Sequence, residues 1–267
     1  MSSDYSGLLK QGLAIVQKAS ALLRELHAAP RQIRYKRRTD LVTETDLAIE
    51  AFLQEALAPL VPGACFLAEE SASSLSLPDC CWIIDPVDGT TNYAHGLPVC
   101  GISVAYHEGG DVVLGMVAAP LLGECWYASK GNGAFCNGQP IRVTETASLE
   151  KALVATGFPY EYEGDSLEQV LARLRVFLPA VQDIRRCGAA SIDLSWVGGG
   201  RFDGFYETEL KPWDVAGATC IIREAGGMVT HFDGSPFTFC ASGRHDVLAS
   251  NGALHRAMMG LLEATGY

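Results

Sequence analysis

Trp82-Ile83-Ile84-Asp85-Pro86-Val87-Asp88-Gly89-Thr90-Thr91-Asn92 is the stretch on which the reading of this chain turns. Three apolar residues in a row predict a short buried strand that delivers Asp85 to its C-terminal end, where Pro86 stiffens the exit. Asp88 follows on a turn that Gly89 permits. Two carboxylates three residues apart, with the Val87 carbonyl between them, make an all-oxygen set suited to a hard cation such as Mg²⁺. Gly89-Thr90-Thr91 then offers backbone N–H groups and hydroxyls, the equipment for gripping a phosphate where a helix begins. A bare Asp-Pro-x-Asp would serve equally as a helix-capping turn; the buried strand ahead of this one favours the ligand reading.

Outward from that stretch, other acids stand where surface decoration is a poor explanation. Glu69-Glu70 follows the apolar run Cys65-Phe66-Leu67-Ala68, where charge is costly unless paired or bound to metal. Asp214 lies in Lys211-Pro212-Trp213-Asp214-Val215-Ala216-Gly217, with proline at a helix start and the acid in the first turn. Asp46 stands three residues after Thr43 in Thr43-Glu44-Thr45-Asp46, close to a capping box. Taken singly, a solvated loop, a helix-dipole charge and a cap account for these three places. Together they would supply the carboxylates of a two- or three-metal phosphoryl-transfer site.

The organisation around these acids is mixed. Leu8, Leu9, Leu13, Val16, Leu22, Leu23 and Leu26 recur at helical spacing, and Leu47, Phe52, Leu53, Ala56, Leu57 and Leu60 give a second helix its apolar face before Pro59 and Pro62 end it. Val99–Tyr106, Val112–Ala119 and Glu124–Ala128, separated by Gly109-Gly110 and 120–123, predict an antiparallel meander. Lys130–Gly138 reads as turns. Beyond about residue 147 helical and strand patterns alternate: helices near 166–177, 189–197, 213–225 and 253–262, strands near 184, 204–207, 228–231 and 247–249. That alternation predicts an α/β half with largely parallel strands. Two subdomains sharing one interface, 1–147 and 148–267, are expected.

The chain has 267 residues, 48% hydrophobic and 19% charged, so it is globular and long enough to bury a sizeable core. Lys and Arg number 20 against 31 Asp and Glu, a net charge of −11. Such a chain does not bind nucleic acid or anionic membrane through its overall field, and an anionic substrate needs a local positive charge, for which a metal ion is the natural source. The nine cysteines are scattered, with no Cys-x-x-Cys, and read as reduced core thiols of a cytoplasmic protein. Neither a signal peptide nor a membrane-spanning run is visible. Nucleotide-loop, nucleophile-elbow and zinc-protease motifs are missing, Asp85-x-x-Asp88-Gly89 lacks the alternating ligands of an EF-hand, and the six histidines do not pair at ligand spacing. His95, near the site in sequence, reads as a loop or supporting residue.

These motifs resemble the inositol monophosphatase family, within the lithium-sensitive, Mg²⁺-dependent phosphatases that include fructose-1,6-bisphosphatases. The matching pieces are Asp40–Asp46, Ala68-Glu69-Glu70-Ser71, Trp82–Asn92 and Trp213–Gly217 leading to Glu224-Ala225-Gly226-Gly227, in the family's order and with similar gaps. Arg185-Arg186-x-Gly188 and Lys211-Pro212-Trp213-Asp214 look most like the bacterial branch. One departure is Ala68, where the family usually has glycine; alanine suffices unless the position needs φ > 0.

The resemblance implies a layered α/β/α/β/α sandwich of the α/β (α+β) class. It implies that Glu69, Asp85, the Val87 carbonyl, Asp88 and Asp214 hold two or three Mg²⁺ ions, and that Asp46, Glu69 and Thr90 are catalytic, orienting and activating the attacking water. Substrate contacts fall to Asp88, Gly89, Thr90, Gly188, Ala189, Ala190, Glu207 and Asp214, the Gly89-Thr90 backbone holding the phosphate and Glu207 with Gly188–Ala190 the sugar or cyclitol hydroxyls. Myo-inositol 1-phosphate is the leading substrate; histidinol phosphate, fructose 1,6-bisphosphate and 3′-phosphoadenosine 5′-phosphate are alternatives. A homodimer is expected on the same ground. Some bacterial relatives bind the transcription machinery, and the basic stretch Arg31, Arg34, Lys36, Arg37, Arg38 is where RNA or an acidic partner would dock.

Overall fold

Burial of apolar helix faces on both sides of two sheets sets the architecture of the computed structural model, which describes residues 5–28, 33–35, 41–72, 77–159, 162, 164–239 and 245–266, with backbone alone at 33–35, 41 and 42. The leucine-rich opening forms α1 (Ser6–Ala28), and a two-stranded ribbon, β1 (Ile33–Tyr35) and β2 (Leu41–Thr43), leads into α2 (Glu44–Leu57). Thr43 caps α2 in a complete capping box with Asp46, as expected from the spacing. The side chains of the basic stretch from Arg31 to Arg38 lie outside the described residues, as does Cys240.

The central sheet comprises β3 (Cys65–Ala68), β4 (Cys81–Asp88), β5 (Gly101–Glu108), β6 (Asp111–Ala119), β7 (Glu124–Ser129), β8 (Ala134–Cys136) and β9 (Gln139–Pro140), side by side in that order, with α3 (Thr90–His95) between β4 and β5. β3 and β4 are parallel; every later pairing is antiparallel, as the meander reading requires. Two details differ from the sequence expectation. β4 continues past Asp85 to Asp88, because a register shift between them takes up Pro86, which has no N–H to give to the ladder. Within 130–138, β8 pairs with β7 between the turns.

The second sheet has the order β11-β10-β12-β14-β13. Its elements are β10 (Leu153–Thr156), α4 (Ser166–Phe177), β11 (Asp183–Arg185), α5 (Ala190–Gly198), β12 (Gly204–Leu210), α6 (Pro212–Glu224), β13 (Met228–Thr230), β14 (His245–Ser250) and α7 (His255–Glu263). It is mixed rather than largely parallel. β10 runs parallel to β11 and β12, but β14 is antiparallel to both β12 and β13. Among the described residues no helix lies between β13 and β14, and β14 sits between β13 and β12, antiparallel to both.

Helices α1 and α2 cover one face of the central sheet, α5 and α6 fill the space between the sheets, and α7 with α4 covers the outer face of the second. The result is the expected five-layer α/β/α/β/α sandwich. α6 lies unusually close to β6. A Cβ on Gly115 would stand 2.1 Å from the Gly217 carbonyl oxygen, and one on Gly217 would stand 2.9 Å from Ser103 Oγ. This approach brings the N-terminus of α6, and with it Asp214, to the ends of β4 and β5, where Ser103 Oγ donates to the Trp213 carbonyl at 3.2 Å.

Gly115→Ala is expected to lose about 3 kcal/mol or more of stability, because the obstructing atom is backbone, read as a Tm fall of roughly 10 °C. Gly260→Ala, on an exposed position of α7 with nothing within 4 Å of its Cβ, is expected to gain about 0.5–1 kcal/mol. Similar melting temperatures for the two variants would contradict this account of α6 seating.

Candidate active site

The site forms where β4 ends. Every residue of β4 is buried, so Asp85, 1% exposed, is carried into the protein by apolar neighbours on both sides. Its Oδ1 accepts the Val87 N–H at 3.0 Å, which shapes the bulge, and the Val87 carbonyl accepts the Thr90 hydroxyl at 2.9 Å. Gly89 follows at φ +81°, and a Cβ there would also stand 3.0 Å from the Val99 and Gly188 carbonyl oxygens. Glycine is required both by the left-handed backbone and by this close approach. α3 therefore begins at Thr90 directly beside the acids.

The other acids come from α2, from the end of β3, from β4 itself and from α6. Asp46, wholly buried at the start of α2, accepts the Thr43 N–H at 2.9 Å and the Thr43 hydroxyl, and lies 3.1 Å from the Thr90 hydroxyl. Glu69 follows β3, held where its N–H donates to the Ile84 carbonyl at 3.2 Å. Asp88 accepts the N–H and the hydroxyl of Ser191, at 2.7 and 2.5 Å, tying β4 to the first turn of α5. Half-buried Asp214 accepts the Lys211 N–H at 2.7 Å in the first turn of α6.

The electrostatics follow from this crowding. Burial, then the charges of Glu69, Asp88, Asp214 and Asp46, hold the Asp85 carboxyl far above the usual carboxylate range. Burial pushes Asp88 up to about 6 against the Ser191 hydrogen bonds, and burial together with Asp88 pushes Asp214 up to about 7. Burial likewise raises Asp46, opposed by its bonds from Thr43 and Thr90. The donor set is hard oxygen throughout, its negative charge far outweighs the cations that reach it, and a divalent cation fits that chemistry. Among the described residues no three His, Cys, Asp or Glu side chains are grouped closely enough to hold a metal ion as they stand; the acids reach the site from four elements.

The 188–190 segment and Glu207 face the same cleft. Gly188, at φ +89°, leaves room for Arg186, whose Nη1 would stand 2.6 Å from a Cβ there. Asn92 Nδ2 donates to the Val99 and Cys187 carbonyls at 2.7 and 2.8 Å, stapling α3 to this segment. Ala189 is buried at the N-cap of α5, and Ala190 begins the helix. Glu207 sits in β12 just before a register shift, and burial, with Asp214 and Asp193 nearby, raises its carboxyl well above the ordinary range. Gly157 makes its place: a Cβ there would lie 2.1 Å from the Glu207 carboxylate.

Asp46, Glu69, Asp85, Asp88, Asp214 and Glu207 thus lie near the end of β4 with Thr90, Gly89 and 188–190, whereas Glu70, whose N–H donates to the Glu50 carboxylate at 2.9 Å, is not among them. Exposed His95 ends α3. Three neighbours were missed. Ser191 positions Asp88. Arg186, quoted from the sequence as a motif residue without a role, is the cation whose charge reaches Asp88, Asp193 and Glu207. Asp193 is 2% exposed with Oδ1 unpartnered, and burial pushes it up to about 7. Its signal was an acid inside the apolar run Ile192-Asp193-Leu194.

Carboxyls with raised folded pKa values keep protons that the unfolded chain has released, so stability is lost as pH rises through the folded values. Asp88, Asp193 and Asp214 make that loss run from their ordinary value of 3.8 up to about pH 6 to 7, and Asp85 and Glu207, raised in the same direction, add to it. His245 and His255, depressed by burial, oppose it only below their ordinary value of 6.5. In EDTA, urea unfolding is expected to require less free energy at about pH 8.5 than at about pH 6.5, with Mg²⁺ restoring more at the upper end. A flat or rising profile would contradict the arrangement.

The model of the Inositol monophosphatase family matches residues 4–266 of the chain. The chain is 40% identical over 216 residues to the fructose-1,6-bisphosphatase/inositol-1-monophosphatase of Thermotoga maritima, covering 81% of this chain and 80% of that one. To the inositol-1-monophosphatase of Synechocystis it is 38% identical over 265 residues, 98% and 91% of the two chains. Among solved structures, the extragenic suppressor protein suhB of Bartonella henselae superposes with a TM-score of 0.88 at 32% identity, over 97% of this chain and 99% of that one. An IMPase/NADP phosphatase solved with Mg²⁺ and phosphate superposes at 0.81, 25% identical over 93% of this chain and 92% of that one. Fold, motif order and near-complete coverage agree, and the chain belongs to the inositol monophosphatase family.

Proposed function

We propose that the chain hydrolyses small phosphate monoesters with Mg²⁺, and that myo-inositol 1-phosphate is its leading substrate. The observation that carries this reading is Asp85, a buried carboxylate ringed by Glu69, Asp88, Asp214 and Asp46, which a divalent cation would neutralise. The Mg²⁺ and phosphate bound in a structurally similar family member support the same cofactor.

In this reading Glu69, Asp85, the Val87 carbonyl, Asp88 and Asp214 hold two or three ions. When bound, Mg²⁺ supplies charge neutralisation for the phosphate and a lowered pKa for water. The chain's own groups do the positioning. The Thr90 hydroxyl, between Asp46 Oδ1 and the Val87 carbonyl, orients the attacking water, and Asp46 with Glu69 takes up its proton. The N–H groups at Gly89 and Thr90 hold the phosphate. Glu207 and the backbone of 188–190 accept and donate hydrogen bonds to the hydroxyls of the alcohol, so a polyhydroxyl ester is favoured. Residues 1–147 supply Asp46, Glu69, Asp85, Asp88 and Thr90, and 148–267 supply the rest, so the two halves must stay docked for turnover.

A homodimer, lithium sensitivity and a cytoplasmic location belong to the same proposal on family grounds; no helix among the described residues is long and apolar enough to cross a membrane. RNA or transcription-machinery binding through Arg31–Arg38 is the second reading: a relative 40% identical over 200 residues is named Nus factor SuhB, and the side chains of that stretch lie outside the described residues.

Phosphate release is expected from inositol 1-phosphate with Mg²⁺ and not with EDTA, ahead of histidinol phosphate, fructose 1,6-bisphosphate and 3′-phosphoadenosine 5′-phosphate. Asp88→Asn is expected to abolish it, and Thr90→Ala to lower kcat by about 10²–10⁴. Folded protein that releases no phosphate from any of the four would overturn the proposal.

A further inference from the structure

Two arginines lead from β11 into the 188–190 segment, and their circumstances differ. Arg185 is paired with Asp183 at 2.5 Å. Arg186 makes no hydrogen bond or ion pair among the described residues. Its guanidinium lies 5.6 Å from the Phe158 ring centroid, and that contact leaves its N–H groups unused. Water ordinarily serves the donors of an exposed arginine. What marks this one is where it stands.

On one side it lies against Gly188, where a Cβ would stand 2.6 Å from Nη1. The Gly188 carbonyl oxygen in turn lies 3.0 Å from the place of a Cβ on Gly89, so the guanidinium is one residue away from the turn proposed to hold the phosphate. On the other side Phe158 follows Gly157, whose bare backbone makes room for the Glu207 carboxylate. Arg186 therefore stands between the phosphate turn and the group proposed to read the hydroxyls. Asp88, Asp193 and Glu207 all feel its charge, yet none of the three is paired with it. The cation is drawn toward the site without being bound there.

A guanidinium only donates hydrogen bonds, the Glu207 carboxyl accepts them in either protonation state, and a hydroxyl does both. Neighbouring hydroxyls of one polyol can therefore donate to Glu207 and accept from Arg186, and the planar fork suits two adjacent oxygens. We infer that Arg186 is a specificity-determining residue, donating to hydroxyl oxygens of the alcohol while Glu207 accepts from a neighbouring hydroxyl. The inference rests on the proposed phosphatase reading and deepens it, because it names a charged side-chain donor on the alcohol side of the site. An ester whose alcohol carries no hydroxyls gains nothing from that donor.

The test compares myo-inositol 1-phosphate with p-nitrophenyl phosphate on wild type, Arg186→Met and Arg186→Lys, with Mg²⁺ and with melting temperature and sedimentation recorded. Arg186→Met should raise the KM of the inositol ester by about tenfold or more, with its kcat nearly unchanged. The same variant should leave the KM of the p-nitrophenyl ester within about twofold of wild type. Arg186→Lys, which keeps the charge but loses the fork, should fall between and decides the matter if the methionine variant does not fold. An equal change for both esters, as a role in holding the phosphate, the ions or an assembly would give, overturns the inference while the phosphatase reading stands. No change for either ester overturns it too. If neither ester is hydrolysed, calorimetric titration with myo-inositol 1-phosphate in Mg²⁺ separates the two: Arg186-dependent binding keeps the recognition and removes the hydrolysis, and no dependence removes both.

Discussion

Like charge in a buried place is the constraint on which the rest of this molecule depends. Asp85 is carried inside by an apolar strand and meets four other acids there. Carboxylates taken from water and set beside one another are held only if protons or cations neutralise them. The described residues bring to this site Arg186, an exposed residue, and Lys211, and neither reverses the upward shift of Asp85, Asp88 or Asp214. The cleft therefore stores an electrostatic demand that a hard divalent ion satisfies, and the same demand would draw a phosphate to the bound ions despite the chain's net charge of −11.

Holding such a set together takes a scaffold that does not yield. The capping box fixes Asp46 to the ribbon before α2, the bulge in β4 fixes Asp85 and Val87, and Ser191 fixes Asp88 across to α5. The Gly115–Gly217 approach seats α6 against the sheet and places Asp214. The Ser191 and α6 ties join the central sheet to the helices between the sheets, and the capping box holds Asp46 on α2 across the other face, so repulsion among the acids is resisted by packing on both faces of the central sheet. Thr90 is the hinge point of this network, since its hydroxyl has both the Val87 carbonyl and Asp46 within reach.

Much of this was legible in the residues. The acids followed apolar strands or opened helices, and those local signals survive because burial and capping act over a few residues. The pairing inside the second sheet was not legible: helix–strand alternation predicted parallel strands, but nothing local marks β14 as the strand that doubles back beside β12. The continuation of β4 through Pro86 was hidden for a related reason, because a bulge is a property of two strands and proline in one of them reads as an exit. Arg173 shows the complementary case. A helical pattern reveals its register, and the structure reveals that the charge at that register is buried and under-used.

The measurement that tests the account's central claim most directly is the location of the ions themselves, by anomalous diffraction from crystals grown with Mn²⁺ in place of Mg²⁺. The account predicts peaks in the cleft, ligated by Glu69, Asp85, the Val87 carbonyl, Asp88 and Asp214, and lost in Asp85→Asn crystals. Mn²⁺ bound elsewhere, or a cleft in which Asp85 and Asp88 bind no ion at saturating Mn²⁺, would contradict it.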